Sequence, residues 1–228
     1  MQNRLLSPVQ VAFLASLMLF AIFCFIVLQI VTVGMTVEDY RLMQLVHDLQ
    51  QATPNLTWLV GVTSDVLGTW AFVGITGFGC LELVRRRHYG LAVVWVATLT
   101  GTVAITELCK HIFHRLRPPY AGVEEDYSFP SGHSIRAIVG YGFLAYVILR
   151  SQRRTWIQST TVMIATTLSL VVGFTRVYLG KDFPSDVTGA YAIGGSILAA
   201  AIGGLEARTC RMAGPTMHPT SAPRAAPT

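Results

Sequence analysis

"PVQVAFLASLMLFAIFCFIVLQIVTV", residues 8–33, contains no Asp, Glu, Lys, Arg or His. A hydrocarbon core about 30 Å thick takes roughly 20 apolar residues in a helix, so this stretch reads as a membrane span. It is too long for the apolar part of a cleaved signal peptide, and no small-residue cleavage site closes it. An uncleaved first span is therefore expected. The rest of the chain agrees. Of its 228 residues, 52% are hydrophobic and 13% charged, where a soluble domain carries about a quarter charged. Mean hydropathy is +0.52. The net charge of +5 calls for no nucleic-acid partner, because most arginines cluster at the ends of apolar runs. The expected partner is the bilayer itself.

Five further spans follow at 56–81 (with Asp65 inside), 89–109, 134–150, 155–174 and 187–205. The weakest is 134–150, which is short and carries Arg136 near its start. Ser131 and Gly132 precede it as a helix start would, and Arg150 closes it. The expected fold is all-α: an integral membrane bundle of six helices over residues 1–211. The tail 212–228 is rich in Pro, Ala and Thr, has no acids, and is expected to be disordered. Arg4, Arg85 to Arg87, Arg150, Arg153, Arg154, Arg208 and Arg211 mark one side of the membrane. Basic residues in short loops face the cytoplasm, which places both termini there. The opposite loops hold most of the acids, among them Glu124, Glu125, Asp126, Asp182 and Asp186. Residues 37–51 are expected to form a short amphipathic helix with Val37, Tyr40, Met43 and Val46 on one side. Cys24, Cys80, Cys109 and Cys210 show no C-x-x-C pairing; free thiols are expected, with no zinc site, no other metal cluster and no cofactor.

Two of the opposite loops carry the chemistry. One begins "KHIFHRLRPP" (110–119) and ends "PSGHS" (130–134). If the third span continues as a helix, Lys110, His114 and Arg117 fall at i, i+4 and i+7 on one face. Such a face at the membrane surface suits an anion, although snorkelling basic side chains would look the same. Ser131 is a good N-cap for the fourth span. Free N–H groups at a helix N-terminus also attract anions, and His133 sits in that turn, where a lone His is ordinarily structural. The second loop, "TRVYLGKDFPSD" (175–186), packs Arg176, Lys181, Asp182 and Asp186 into a chain that otherwise avoids charge. Because successive spans alternate direction, the two loops converge on one membrane face. Their cations, helix N-terminus and His describe a phosphoryl site, since Arg matches phosphate geometry well.

The three stretches K-x6-R-P (Lys110, Arg117, Pro118), P-S-G-H (Pro130 to His133) and Thr175 to Asp186 resemble, in order and spacing, the signatures of the type 2 phosphatidic acid phosphatase superfamily. The resemblance runs from about 105 to 190, and the six-span layout is similar to that of the family's membrane members. It implies that Lys110, Arg117 and Arg176 hold the phosphate, with hydrogen bonds from Ser131 and the Gly132 N–H. His133 would protonate the leaving group, and Asp186 would orient a histidine nucleophile. The implied activity is dephosphorylation of a lipid phosphate or pyrophosphate, without a metal, at the outer face of a bacterial inner membrane. An isoprenoid carrier or a glycerophospholipid phosphate would be the substrate. A non-catalytic lipid-phosphate binder or transporter, or a phosphotransferase, is the alternative.

The departure lies at position 182. The family's third signature runs S-R-x5-H-x3-D. Counted from Arg176, the His should stand at 182, where this chain has Asp182; Thr175 replaces the Ser. Three accounts are open. Asp182 is a lost His nucleophile, leaving a chain that holds substrate without turnover. Or it is itself a carboxylate nucleophile. Or it is an N-cap for the following helix, ahead of Pro184 in the first turn.

Overall fold

A computed structural model describes residues 6–34, 36–119 and 126–212. Glu124, Glu125 and the tail beyond Met212 lie outside the described residues. Helix α1 (Pro8–Val33) opens with a capping box. The Ser7 hydroxyl accepts the Gln10 N–H, and the Gln10 side chain accepts the Ser7 N–H. Gly34, at φ +74°, ends it. Helix α2 (Val37–Ala52) starts from Thr36, whose hydroxyl accepts the Asp39 N–H. Its buried stripe is Asp39, Met43 and Val46, while Val37 and Tyr40 are exposed. The face is thus rotated from the expected one, because Asp39 is anchored by Arg115 and Ser185.

Helices α3 (Pro54–Asp65) and α4 (Ala71–Arg85) form one span, joined by a π-helical turn at Val66–Trp70. Then come α5 (Tyr89–Phe113), α6 (Gly132–Ser151), α7 (Thr155–Tyr178) and α8 (Pro184–Met212). Among the described residues, six helical stretches are long and apolar enough to cross a membrane: Pro8–Val33, Pro54–Arg85, Tyr89–Phe113, Gly132–Ser151, Thr155–Tyr178 and Pro184–Arg211. Most run past the apolar segments read from sequence. Backbone hydrogen bonding continues a helix until a cap or turn stops it, and hydropathy alone does not mark that point.

Spans α6 and α8 are the most buried and α1 the least. The α1 side chains Leu14, Leu17, Met18, Phe25 and Leu28 are exposed, which suits hydrocarbon. Lipid tails give no hydrophobic drive for helix association, so small residues and interhelical hydrogen bonds must supply it. Both occur here. The Ser16 hydroxyl donates to the Ser196 carbonyl at 2.9 Å and the Ser196 hydroxyl to the Ser16 carbonyl at 3.0 Å, tying α1 to α8. A Cβ on Gly194 would lie 2.5 Å from Ile138 Cγ2, so α6 and α8 need glycine there. Leu83, Trp95, Leu99, Val139 and Phe143 form the core toward the arginine-rich end. Phe23, Phe129, Ile135 and Ile193 form another beside the motif loops. The end of α5, the start of α6, the α7–α8 junction and α2 share that latter end.

Candidate active site

Lys110 lies in the last turn of α5, but the helix does not continue through the motif. It stops at Phe113, and His114 takes a left-handed conformation with φ +46°. Lys110, His114 and Arg117 therefore do not share a helical face. Arg117 reaches back from the following segment, whose course is set by Ser128 N–H donating to the Arg115 carbonyl at 2.8 Å. His114 turns away and packs edge-on against Tyr127, with ring centroids 4.8 Å apart.

The remaining groups surround a cavity of about 180 Å³. Four cations reach it: Lys110, Arg117, Arg136 and Arg176. Two carboxylates, Glu107 and Asp126, stand beside them. Gly132 and His133 bring the first turn of α6, N-capped by Ser131, to the same wall. Cations gathered at a helix N-terminus are chemically suited to an anion. Lys110 Nζ lies 3.6 Å from both Glu107 Oε1 and Asp126 Oδ1. Arg117 donates to Asp126 Oδ2 from Nη2 at 2.6 Å and from Nε at 3.2 Å. Burial works to raise the Asp126 carboxyl, but Arg117 and Lys110 more than offset it and hold it below the usual carboxylate range.

Asp182 lies beneath this wall, 1% exposed. Its Oδ1 accepts from Arg117 Nη1 at 2.8 Å. Its Oδ2 accepts from Arg176 Nε at 2.9 Å and from the Ser131 hydroxyl at 2.7 Å. Burial alone would push this carboxyl up. The two guanidiniums and Ser131 outweigh burial and hold it below its ordinary value. The N-cap account of Asp182 does not match this geometry: α8 begins at Pro184, and the carboxylate is turned to the arginines. It is Asp186, inside the first turn, that accepts the Phe183 N–H at 2.8 Å. Asp186 is fully buried and pairs with Arg115, away from the arginines that hold Asp182.

His133 is held by groups the motif reading did not include. Arg136 Nη2 lies 3.4 Å from Nδ1, and Thr69 Oγ1 lies 3.1 Å from Nε2. A guanidinium only donates, so Nδ1 is the acceptor and the neutral ring carries its proton on Nε2. Thr69 comes from the π-helical turn, a feature often found at functional sites. A Cβ on Gly68 would sit 2.5 Å from His133 Cδ2, so this close approach requires glycine. Asp65 Oδ1 is 3.6 Å from Nε2. The sequence signals for these residues were an Asp and an Arg within apolar spans, where charge is ordinarily functional. Asp186 was expected from its motif, but nothing in the sequence pointed to Thr69, or to Arg115 as the shared partner of Asp39 and Asp186.

Comparison with known proteins places this geometry in a family. Residues 90–210 match the sequence model of the PAP2 superfamily. The chain belongs to the PAP2 superfamily. It is 33% identical over 154 residues to phosphatidylglycerophosphatase B of Bacillus subtilis (strain 168), covering 64% of this chain and 70% of that protein. It is 31% identical over 141 residues to a lipid A 1-phosphatase of Rhizobium etli, covering 54% of this chain and 56% of that one. An undecaprenyl-diphosphatase of Sulfolobus acidocaldarius is 27% identical over 170 residues, with coverage of 71% and 74%. A crystal structure of a transmembrane PAP2-type phosphatidylglycerolphosphate phosphatase from Bacillus subtilis shares the fold, with a TM-score of 0.75 at 22% identity over 84% of this chain and 96% of that one. This PAP2 chain is thus a multi-pass membrane protein, with its family signatures gathered at one end of the bundle.

Proposed function

We propose that this PAP2 chain binds the phosphoryl group of a membrane lipid phosphate or pyrophosphate in the 180 Å³ cavity and is built to hydrolyse it. The observation that carries this reading is the convergence of Lys110, Arg117 and Arg176 on the first turn of α6 beside His133. The relatives' names point to a glycerophospholipid phosphate, a lipid A phosphate or an isoprenoid pyrophosphate as the substrate class. Lys110, Arg117 and Arg176 hold the phosphoryl oxygens, and the Gly132 N–H adds to them. Protonated beside the bound anionic phosphoryl group, His133 gives its Nε2 proton to the leaving oxygen and returns to the neutral ring. Ser131 holds the residue at 182, and Asp186 would orient an imidazole there. The membrane domain occupies residues 1–211 and the tail 212–228, with both termini cytoplasmic and the site at the outer face of a bacterial inner membrane.

Position 182 limits this activity. Both oxygens of Asp182 are engaged, by Arg117 on one side and by Arg176 and Ser131 on the other. A carboxylate so held is neither free to attack phosphorus nor open to the cavity. The same observation supports a second reading, in which the chain holds lipid phosphates without turning them over. Phosphate release from phosphatidic acid, phosphatidylglycerophosphate and undecaprenyl pyrophosphate decides between them, measured on the purified chain beside an Asp182→His variant. If neither protein releases phosphate and neither binds vanadate, the site assignment fails. Sidedness is tested in a cysteine-free background. Single cysteines at Arg86 and Asp48 should label from opposite sides of the membrane, with position 86 inside.

A further inference from the structure

A second, larger cavity of about 750 Å³ lies at the opposite end of the bundle, where α4 turns into α5. Its volume is within the roughly 300–1,000 Å³ of ligand pockets. The walls are mainly apolar, from Phe78, Leu83, Trp95, Leu144, Val147 and Leu205. Among the described lining residues, the rim carries Arg86, Arg87, Arg150 and Arg208 against one carboxylate, Glu82, with Glu206 behind it 3.8 Å from Arg150. Basic loops at this end are expected from membrane topology, but topology asks for no cavity beneath them.

Two of these arginines are already committed. Arg86 is hydrogen-bonded to Glu82, and Arg150 to Tyr146 and Thr209. The guanidiniums of Arg87 and Arg208 have no partner among the described residues. Arg87 also stands at φ +60°. The Arg86, Arg87 and His88 N–H groups close the α4 terminus onto the Glu82, Val84 and Leu83 carbonyls. Glycine is the usual residue at such a left-handed helix end. The chain instead places a long cation there, directly over the cavity. Strained positions of this kind concentrate at functional sites.

We propose that this cavity binds an anionic phospholipid, with its phosphate on Arg87 and Arg208 and one acyl chain along the Phe78–Trp95 wall. A lipid fits better than a soluble anion because the cavity is continuous with the bilayer-facing surface. Phe78 lines it and is 72% exposed within a membrane span, whereas Trp95 lines it and is 1% exposed. A chain entering past Phe78 therefore runs toward a buried indole. Basic pockets between membrane helices recognise anionic headgroups by the same physics, at about fivefold in affinity for each basic residue near the surface.

The test uses the full chain with Trp58, Trp70 and Trp156 changed to Phe, so that Trp95 alone fluoresces. It is reconstituted in phosphatidylcholine with either phosphatidylglycerol or phosphatidylcholine brominated on the acyl chain. Brominated phosphatidylglycerol should quench Trp95 with at least about fivefold higher apparent affinity than brominated phosphatidylcholine. Arg87→Ala with Arg208→Ala should abolish that preference, and Arg87→Lys with Arg208→Lys should retain most of it. Equal quenching by the two lipids overturns the proposal, as does a preference unchanged in the double alanine variant. Relief of quenching by millimolar glycerol 1-phosphate would also overturn it, making the site one for soluble phosphates. The readout involves no turnover, so its failure is separate from failure of the phosphatase reading.

Discussion

Replacing Asp182 by His perturbs binding, stability and chemistry at once, and the geometry separates the three. The native carboxylate takes bonds of 2.8, 2.9 and 2.7 Å from Arg117, Arg176 and Ser131. Hydrogen bonds to charged groups are worth about 1.5–3 kcal/mol net. An incoming phosphate must compete with Asp182 for both guanidiniums. A neutral imidazole releases them, so regaining even one such bond should tighten vanadate binding by roughly tenfold or more. Stability should move the other way. Removing one partner of a buried ion pair costs about 3–5 kcal/mol, and here two guanidiniums lose their counter-charge. Saturating vanadate should return part of this, about 2.7 kcal/mol at 100 times its Kd. Turnover should rise by at least about a hundredfold, the lower end of what a positioned catalytic group supplies. For this the new ring must give one N–H to Asp186, which fixes the tautomer of its attacking nitrogen. Asp186 is available only if it loosens its hold on Arg115. The assays are phosphate release from phosphatidic acid in detergent micelles, and thermal unfolding with and without vanadate. A native chain that already turns over briskly, and loses activity on Asp182→Asn, would refute the reasoning and establish an aspartyl nucleophile. So would an Asp182→His protein that is folded and binds vanadate yet is no faster than native.

Arg117→Ala and Arg176→Ala should each weaken vanadate binding by roughly tenfold or more; unchanged affinity in both, by titration, removes the anion-site assignment. Arg115→Ala should lower thermal stability by about 3–5 kcal/mol, because it leaves the buried carboxylates of Asp39 and Asp186 without their shared cation. Limited proteolysis should then cut first around α2, and an unchanged melting profile would contradict the anchor. The Asp182 carboxyl is held below its ordinary value in the folded chain, chiefly by Arg176 and Arg117 acting against burial. Its stabilisation is therefore fully present above the unfolded value of about 3.9 and lost as pH falls through the folded one. Unfolding temperature should drop on acidification below about pH 4, and Asp182→Asn should flatten that decline.

Span positions, and the end of the bundle at which the motifs gather, were legible in the sequence because they depend on local sums. Twenty-six residues without a charge, as in Pro8–Val33, form a span whatever surrounds them. Alternating spans bring the α5–α6 and α7–α8 loops to one face by connectivity alone. The identity of residue 182 was equally plain, since the spacing from Arg176 places it. What Asp182 does was not legible. It depends on Ser131, fifty-one positions away, and Arg117, sixty-five away, arriving with their donors aimed at its two oxygens. The α5 terminus escaped for a related reason. Nothing in "KHIFHR" forbids a further helical turn, and it is His114 adopting a left-handed conformation that frees Arg117 to reach Asp182. The rotated face of α2 follows from Asp39 meeting Arg115 and Ser185, the latter 146 residues away. Hydrophobic length is a property of consecutive residues, so the sequence carries it openly. A buried charge must instead find its counter-charge wherever packing delivers one, and only the tertiary structure decides which side chain that is.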